Sequence, residues 1–360
     1  MKGRRMIERL LSHDEPRSRL LALALIIIVL GLAVAPFLLP GHKALGVAAK
    51  ALVFVLLVAS YDLLLGYTGI VSFAHTMFFG IGAYGVAIAS SRLGAGVGPL
   101  LVGLIAALAL SLLLSLAIGL FSLRVKAIFF AMITLAVASG FLTLASQLNH
   151  VTGGEDGVTF RSPAWLSPSF EAFGRPLFGV TIDGRVLTYY LLFVIVAVSF
   201  LALLRIVNSP FGRVLQAIRE NEFRAEALGF RTVAYRTASN VLSALFATVA
   251  GALLALWLRY TGPDTTMSFE IMLDVLLIVV IGGMGTMYGS VVGAVLFVLA
   301  QNYLQDMLKL GGSALEGTPL LPQFVSPDRW LLWLGILFVL SVYHFPSGIV
   351  GRLRLRQGES

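Results

Sequence analysis

The chain has 360 residues, of which 58% are hydrophobic and only 12% are charged, and its formal net charge is +8. A water-soluble domain could not hide so much apolar surface, because its exposed face needs charge. The composition therefore predicts a polytopic α-helical membrane protein, and it does not favour a β-barrel, whose strands alternate in segments of about ten residues. The absence of cysteine excludes disulfides, a thiol nucleophile and a thiolate metal site.

Runs of about 20 apolar residues are long enough to span a bilayer as helices. The run 269–307 is too long for one helix and predicts two crossings, broken within Gly282–Ser290. We therefore predict an all-α permease-like bundle over 20–346 with about ten crossings. The single crossings are predicted at 20–39, 44–65, 69–90, 99–121, 127–148, 187–206, 237–259 and 329–346.

Basic residues concentrate at the amino terminus, 1–19, in two connections and at the carboxyl terminus, 347–360. The two connections are 122–126 and 205–236. If all four segments are cytoplasmic, the positive-inside rule explains them, so the basic charge does not indicate nucleic-acid binding. The loop 149–186 has no basic excess and is predicted to be extracytoplasmic. The first apolar run exceeds the 7–15 residues of a signal-peptide core, so we expect a retained first span.

Two apolar runs are interrupted by glycine: "GYTGIVSFAHTMFFGIGAYG", 66–85, and "IGGMGTMYGSVVGAVLF", 281–297. Glycine at membrane depth either lets helices pack closely or lets a helix break so that freed backbone groups face protein or a cavity. Two broken segments in corresponding halves of a chain point to the solute path of a transporter. His75 is open to both interpretations, as a cavity-facing group or as a structural hydrogen-bonding partner.

Two aspartates lie in or near the predicted spans. We expect Asp62 at the end of a span, where water hydrates the carboxylate easily. Asp274 lies deeper, and its sequence leaves two roles open: pairing with Lys50 or another donor, or capping a short broken helix.

The connection 207–236 predicts one short amphipathic helix. Ser209 is the expected N-cap, Pro210 the first helical residue and Gly229 the C′ stop. Glu220 and Arg224 have the i, i+4 spacing of an ion pair. The helix could lie on the membrane surface or dock on a cytosolic partner, and its mixed charges favour a partner. The predicted apolar stripe consists of Phe211, Leu215, Ile218, Ala225 and Leu228.

Five collinear segments carry a family resemblance. They are "DLLLGYTGIVSFAHTMFFGIGAY" (62–84), "FFAMITLA" (129–136), "TGGEDGV" (152–158), "SPFGRVLQAIRENEFRAEALGF" (209–230) and "VVIGGMGTMYGSVVGA" (279–294). Over these segments the chain resembles the permeases of bacterial branched-chain amino acid ABC transporters, in particular the M-type member of the permease pair. Urea and short-chain amide permeases are similar over the same segments.

The resemblance implies an importer half in the bacterial inner membrane that works by alternating access. Its partners would be a second, H-type permease, two cytoplasmic ATPase subunits and an extracytoplasmic solute-binding protein. Ser72 and His75 would line the solute path. The glycines of the two runs would line it as well, at Gly69, Gly82, Gly283 and Gly285. The ATPase-coupling residues would be Gly212, Ala217, Arg219, Glu220, Asn221, Ala225, Glu226 and Gly229.

No "GK" dipeptide occurs, so the sequence lacks the phosphate-binding loop G-x-x-x-x-G-K-[ST]. We therefore expect no cofactor on this chain, with ATP used by partner subunits, and no enzymatic activity of its own. A proton-coupled carrier that works alone is the rival class, because broken spans and an intramembrane His75 would suit it. A membrane enzyme is disfavoured because no H-E-x-x-H motif or nucleophile motif appears.

Overall fold

The computed structural model describes residues 18–38, 41–122, 127–171, 181–314, 329–345 and 347–355. Most of the predicted basic amino terminus, the basic residues between the fourth and fifth helices, and the last residues of the basic tail lie outside the described residues. The described chain is almost entirely helical, as predicted. Its principal helices are α1 Arg19–Leu38, α2 His42–Asp62, α3 His75–Leu93, α4 Val97–Ser122, α5 Ala127–Gln147, α6 Gly184–Val207, α7 Pro210–Glu220, α8 Glu222–Ala227, α9 Thr232–Leu258, α10 Phe269–Gly282, α11 Met287–Ala314, α12 Trp330–His344 and α13 Gly348–Leu355.

Within the described residues, nine helical stretches are long and apolar enough to cross a membrane. They include α10 extended back to Pro263, and α12 together with the residues up to Arg352. The helix α3, which corresponds to the predicted crossing 69–90, is not among the nine, because polar residues and glycines make up a large share of its 19 residues. The polytopic helical class is confirmed, and the count of ten crossings stays a prediction.

The helices divide into a central group and an outer group. In α2, 78% of the most apolar stretch is buried within the chain, whereas the corresponding value is 17% for both α1 and α5. A helix that is apolar on every side belongs inside a protein or against lipid. We infer that α2 and α3, each packed against α9, form the centre of the bundle, while α1 and α5 present apolar surface outward.

Close packing between α3 and α9 depends on glycine. A Cβ at Gly82 would lie 2.7 Å from the backbone carbonyl carbon of Thr248, and a Cβ at Gly251 would lie 2.6 Å from that of Phe79. No side chain fits between two backbones this close, so these glycines act by the small-residue packing common in membrane helices.

We expect Gly82→Leu to prevent stable folding, because overpacking a dense helix contact costs about 1–3 kcal/mol or more. The measurement is the thermal midpoint and the folded yield of the purified chain in mild detergent. Gly31→Leu is the matched control, since nothing lies within 4 Å of a Cβ at that helical glycine. Equal midpoints for both variants would contradict the packing role of Gly82.

A small antiparallel sheet closes one end of the bundle. Strand β1, Val158–Thr159, pairs with β2, Tyr260–Thr261. Between α9 and β2, Arg259 has a φ of 54° and donates to Ser162 and to the Leu166 carbonyl. The sheet thus fastens the segment after α5 to the carboxyl end of α9, at the end of the bundle opposite the connection 208–231.

Candidate functional site: two glycine turns and the connecting helices

The first glycine-broken run interrupts the helix where the sequence predicts it. Helix α2 continues as a π-helical turn, Leu63–Tyr67, and α3 begins only at His75. Thr68 closes the turn, because its hydroxyl donates to the Leu63 carbonyl at 3.0 Å. Gly69 follows with a φ of +75°, a conformation that glycine adopts without a steric penalty.

The second run also breaks. Helix α10 ends at Gly282 and α11 begins at Met287. Gly283 and Gly285, in the turn between them, have φ values of +114° and +77°. The glycines of both turns are therefore required by backbone conformation, in contrast to Gly82, which is required by helix packing.

The two turns contact each other. The Asp62 carboxylate, at the end of α2, accepts a hydrogen bond from the Gly285 N–H at 2.9 Å. A Cβ at Gly66 would lie 2.7 Å from the Cγ of Asp62, so only glycine lets the first turn lie over this bond. Asp62 is 1% exposed, and the expectation that water hydrates it is wrong. The protein solvates the carboxylate instead, through a backbone N–H 223 positions away in sequence.

Arg219 of α7 joins the connection to both turns. Its guanidinium Nη1 donates to the Gly66 carbonyl. Its Cγ would lie 3.0 Å from a Cβ at Gly69, and Nη1 would lie 2.9 Å from a Cβ at Gly285. We call Asp62, Gly66, Gly69, Gly285 and Arg219 the junction, because Arg219 of α7 meets both glycine turns there.

The connection differs from the single helix predicted. Ser209 caps α7 as expected, and Gly229 ends α8 with a φ of +91°. Between them the helix breaks at Asn221, whose backbone is extended and whose side chain accepts from the Arg224 N–H. Asparagine is among the best N-cap residues, so it starts a second helix more readily than it continues the first. The expected i, i+4 geometry of Glu220 and Arg224 is lost at this break.

The apolar side chains of the connection face two ways. Leu215, Ile218 and Ala225 are buried, as the stripe predicts. Leu228 is 71% exposed, so its place in the stripe is wrong, and Phe223 is 85% exposed. Exposed apolar surface outside the apolar spans is a candidate contact for another protein or for the membrane surface.

The residues assigned by resemblance to ATPase coupling divide along the same lines. Gly212 and Ala225 are buried, Ala217 is half-buried, and Arg219 reaches the junction. A Cβ at Gly212 would lie 2.6 Å from the Cα of Val207, which explains that glycine by close approach of the chain to the end of α6. The residues that remain exposed, and can therefore meet a partner, are Glu220, Asn221, Glu226 and Gly229.

Glu222 of α8 forms an ion pair with Arg236 of α9 at 2.6 Å. Thr232, in the first turn of α9, donates to Glu226 at 2.8 Å. Both contacts fasten α8 to the start of α9. The predicted span 237–259 begins five residues after the observed start of this helix at Thr232. Helix α8 is therefore attached to α9, as α7 is to the junction.

Ser72 and His75 lie inside the bundle, each 2% exposed. The His75 Nε2 is 2.9 Å from the Ser60 hydroxyl and 3.2 Å from the Leu57 carbonyl, so it ties the start of α3 to α2. Ser72 accepts from the Ala74 N–H. These contacts match the structural interpretation of His75, and the assignment of both residues to a solute path stays a prediction.

The side chains of the first run that face open space are apolar. Val71 and Phe73 line a groove of about 300 Å³ together with Ile128, Met132 and Leu135 of α5. The Phe73 N–H donates to the Thr134 hydroxyl at 3.1 Å, which holds the run against α5. Sequence reasoning selected the polar residues of this run and missed these apolar ones, although their alternation with Ser72 was visible.

Asp274 has the pairing that the sequence left open. Its carboxylate accepts from Gln301 at 3.4 Å, and Gln301 accepts from Lys50 at 2.8 Å. The three side chains come from α10, α11 and α2, so one polar bridge connects these helices at membrane depth. Intramembrane charges are normally paired in this way.

Comparison with known proteins relates most of the chain to a single family. A family model described as the branched-chain amino acid transport system permease component matches residues 43–342. The LivM high-affinity branched-chain amino acid transport permease of Salmonella typhimurium is 27% identical over 87% of this chain and 76% of its own length. Its counterpart in Escherichia coli is 29% identical over 80% of this chain and 71% of its own length, and a probable LivM permease of Methanocaldococcus jannaschii is 25% identical over 78% and 80%.

No solved structure matches the chain. The family match covers every element of the junction, from Asp62 through Arg219 to Gly285, and it extends over the bundle that positions them. The chain belongs to the branched-chain amino acid transport permease family.

Proposed function

We propose that the chain is one permease subunit of an ATP-driven importer for branched-chain and other hydrophobic amino acids. The observation that carries this proposal is the contact of Arg219 with both glycine turns, because it links a partner-facing connection to the two broken helices. The named relatives are permeases of branched-chain amino acid transport systems, which supports the solute class.

The proposed topology places the connection 207–236, the residues 1–19 and the tail 347–360 in the cytoplasm of a bacterium. The permease domain 20–346 then spans the inner membrane, with 149–186 on the outer side. The distribution of basic residues supports this orientation.

Partner subunits supply the energy in this proposal. Two ATPase subunits bind α7 and α8 through Phe223, Leu228 and the exposed polar residues around them. ATP binding moves these helices, Arg219 carries the movement to the junction, and the two turns change the access of a path shared with a second, H-type permease. An extracytoplasmic binding protein delivers the solute, and this chain binds no cofactor of its own.

The test is uptake into proteoliposomes that contain this chain, the second permease and the ATPase subunits, with binding protein outside. We expect labelled leucine to accumulate when ATP is enclosed and to continue when an ionophore collapses the proton gradient. Loss of uptake with the ionophore, and uptake by this chain alone, would instead support a proton-coupled carrier. Competition by urea or acetamide, without competition by isoleucine, would transfer the proposal to amide import.

A further inference from the structure

Asp62 carries a buried carboxylate in which one oxygen accepts a hydrogen bond and the other has no partner among the described residues. Its Oδ1 accepts from the Gly285 N–H at 2.9 Å, whereas Oδ2 has no hydrogen-bond partner among the described residues. Leaving a buried polar oxygen unpaired costs free energy, and acidic residues buried in membrane proteins are typically functional. The free oxygen therefore calls for a partner that the present arrangement does not provide.

Arg219 is the other charged residue of the junction. Its Nη1 is bonded to the Gly66 carbonyl, and among the described residues the two charges form no ion pair. Gly66 lies directly over Asp62, since a Cβ there would lie 2.7 Å from the Asp62 Cγ. Gly66 therefore contacts both the guanidinium and the carboxylate, and the five N–H donors of arginine allow it to bond to more than one acceptor.

We propose that Asp62 is a positioning residue that transmits the movement of α7: when the ATPase subunits displace this helix, Arg219 exchanges the Gly66 carbonyl for the free oxygen of Asp62. This inference rests on the proposed function and names the group that receives the movement. No covalent bond changes, since the step replaces one hydrogen bond of the guanidinium by a charge-assisted one, which is roughly twice as strong.

The exchange acts on both turns because Arg219 is bonded to the first and Asp62 to the second. Releasing the Gly66 carbonyl frees the first turn. When the guanidinium pulls on the carboxylate, the Gly285 N–H that donates to this carboxylate shifts too. The second turn moves with it. A buried two-state contact of this kind converts a small displacement of α7 into a discrete change at the ends of α2 and α10, because packed interiors do not deform continuously.

Asp62→Asn separates the two roles of the side chain. The amide oxygen still accepts from Gly285, but the amide nitrogen faces Arg219 with a donor in place of an acceptor. The matched control is Asp274→Asn, a second acid within the spans that is bonded to Gln301 and lies outside the junction. The set is completed by Arg219→Gln and by the double variant Asp62→Asn with Arg219→Gln.

Each variant is measured in the full reconstituted complex for ATP-driven leucine uptake, for the ATPase rate and for its melting temperature. We expect Asp62→Asn to lower uptake at least tenfold while ATP hydrolysis persists, because a hydrogen bond to a charged group contributes about that factor. Arg219→Gln should act in the same direction. The double variant should be no worse than the poorer single one, since both remove the same contact.

Normal uptake by Asp62→Asn would overturn the proposal, as would single effects that multiply in the double variant, or an equal loss in Asp274→Asn. If Asp62→Asn does not reach the membrane in folded form, Arg219→Gln decides alone, and retained uptake in it overturns the proposal. Failure of the proposed function has a different signature, because wild-type uptake would then not require ATP at all.

Discussion

Serine in place of both Phe223 and Leu228 is expected to abolish ATP-driven uptake by releasing the ATPase subunits. These side chains are 85% and 71% exposed, although both are large and apolar. Apolar anchors that a partner buries at the centre of an interface typically contribute 2 kcal/mol or more each, so losing two should weaken the complex by about 1,000-fold. The measurement is the dissociation constant of the detergent-solubilised permease for the purified ATPase subunits.

Ala234→Ser is the matched control, because Ala234 is exposed in the first turn of α9 and carries little apolar surface. We expect this control to bind the ATPase subunits as the wild type does. The double serine variant should retain its melting temperature, since neither side chain contributes to the buried core. Unchanged affinity in a well-folded double variant would remove the connection as the ATPase contact.

Leucine in place of Gly285, and separately in place of Gly283, is expected to reduce uptake below detection. Any side chain there must adopt a positive φ, at a cost of roughly 1–2 kcal/mol. A Cβ at Gly285 would also lie 2.9 Å from the Arg219 guanidinium and 3.0 Å from the Gly66 carbonyl oxygen, and at Gly283 it would lie 3.0 Å from the Ser347 carbonyl oxygen. Uptake is measured together with the amount of folded chain in the membrane.

Gly94→Leu separates backbone strain from contact. Gly94 has a φ of +99°, and nothing lies within 4 Å of a Cβ placed there. We expect this variant to lose some stability and to keep its transport activity. If all three leucine variants transported equally well, the glycine turns would be replaceable connections without a mechanical role.

Local signals were sufficient to predict most of the helices and both glycine-broken turns. The glycine clusters located both interruptions, and Ser209 and Gly229 located the ends of the connection, because capping and left-handed conformations depend on residues close in sequence. The break at Asn221 had a local signal too, since asparagine is a strong N-cap, but the continuous apolar stripe concealed it. Leu228 was misplaced for the same reason, because its register belongs to a helix that restarts.

The junction could not be predicted, because its contacts join distant parts of the chain. Nothing near Asp62 in sequence indicates a bond to the N–H of Gly285, and nothing in the connection indicates that Arg219 points toward the bundle. Proximity to a span end suggested hydration for Asp62, whereas the second turn covers the carboxylate completely. Contacts of this kind depend on how helices assemble, and a single sequence carries no record of that.

The small sheet that pairs Val158 with Thr261 sets the geometry of any large movement. It pins one tip of α9, and the ion pair of Glu222 with Arg236 attaches α8 to the other tip. A helix of 27 residues is about 40 Å long, so a sideways push of about 4 Å on the free tip would swing it by only about 6°. With the sheet as its fixed end, this helix would be displaced most beside the first glycine turn and least beside the sheet.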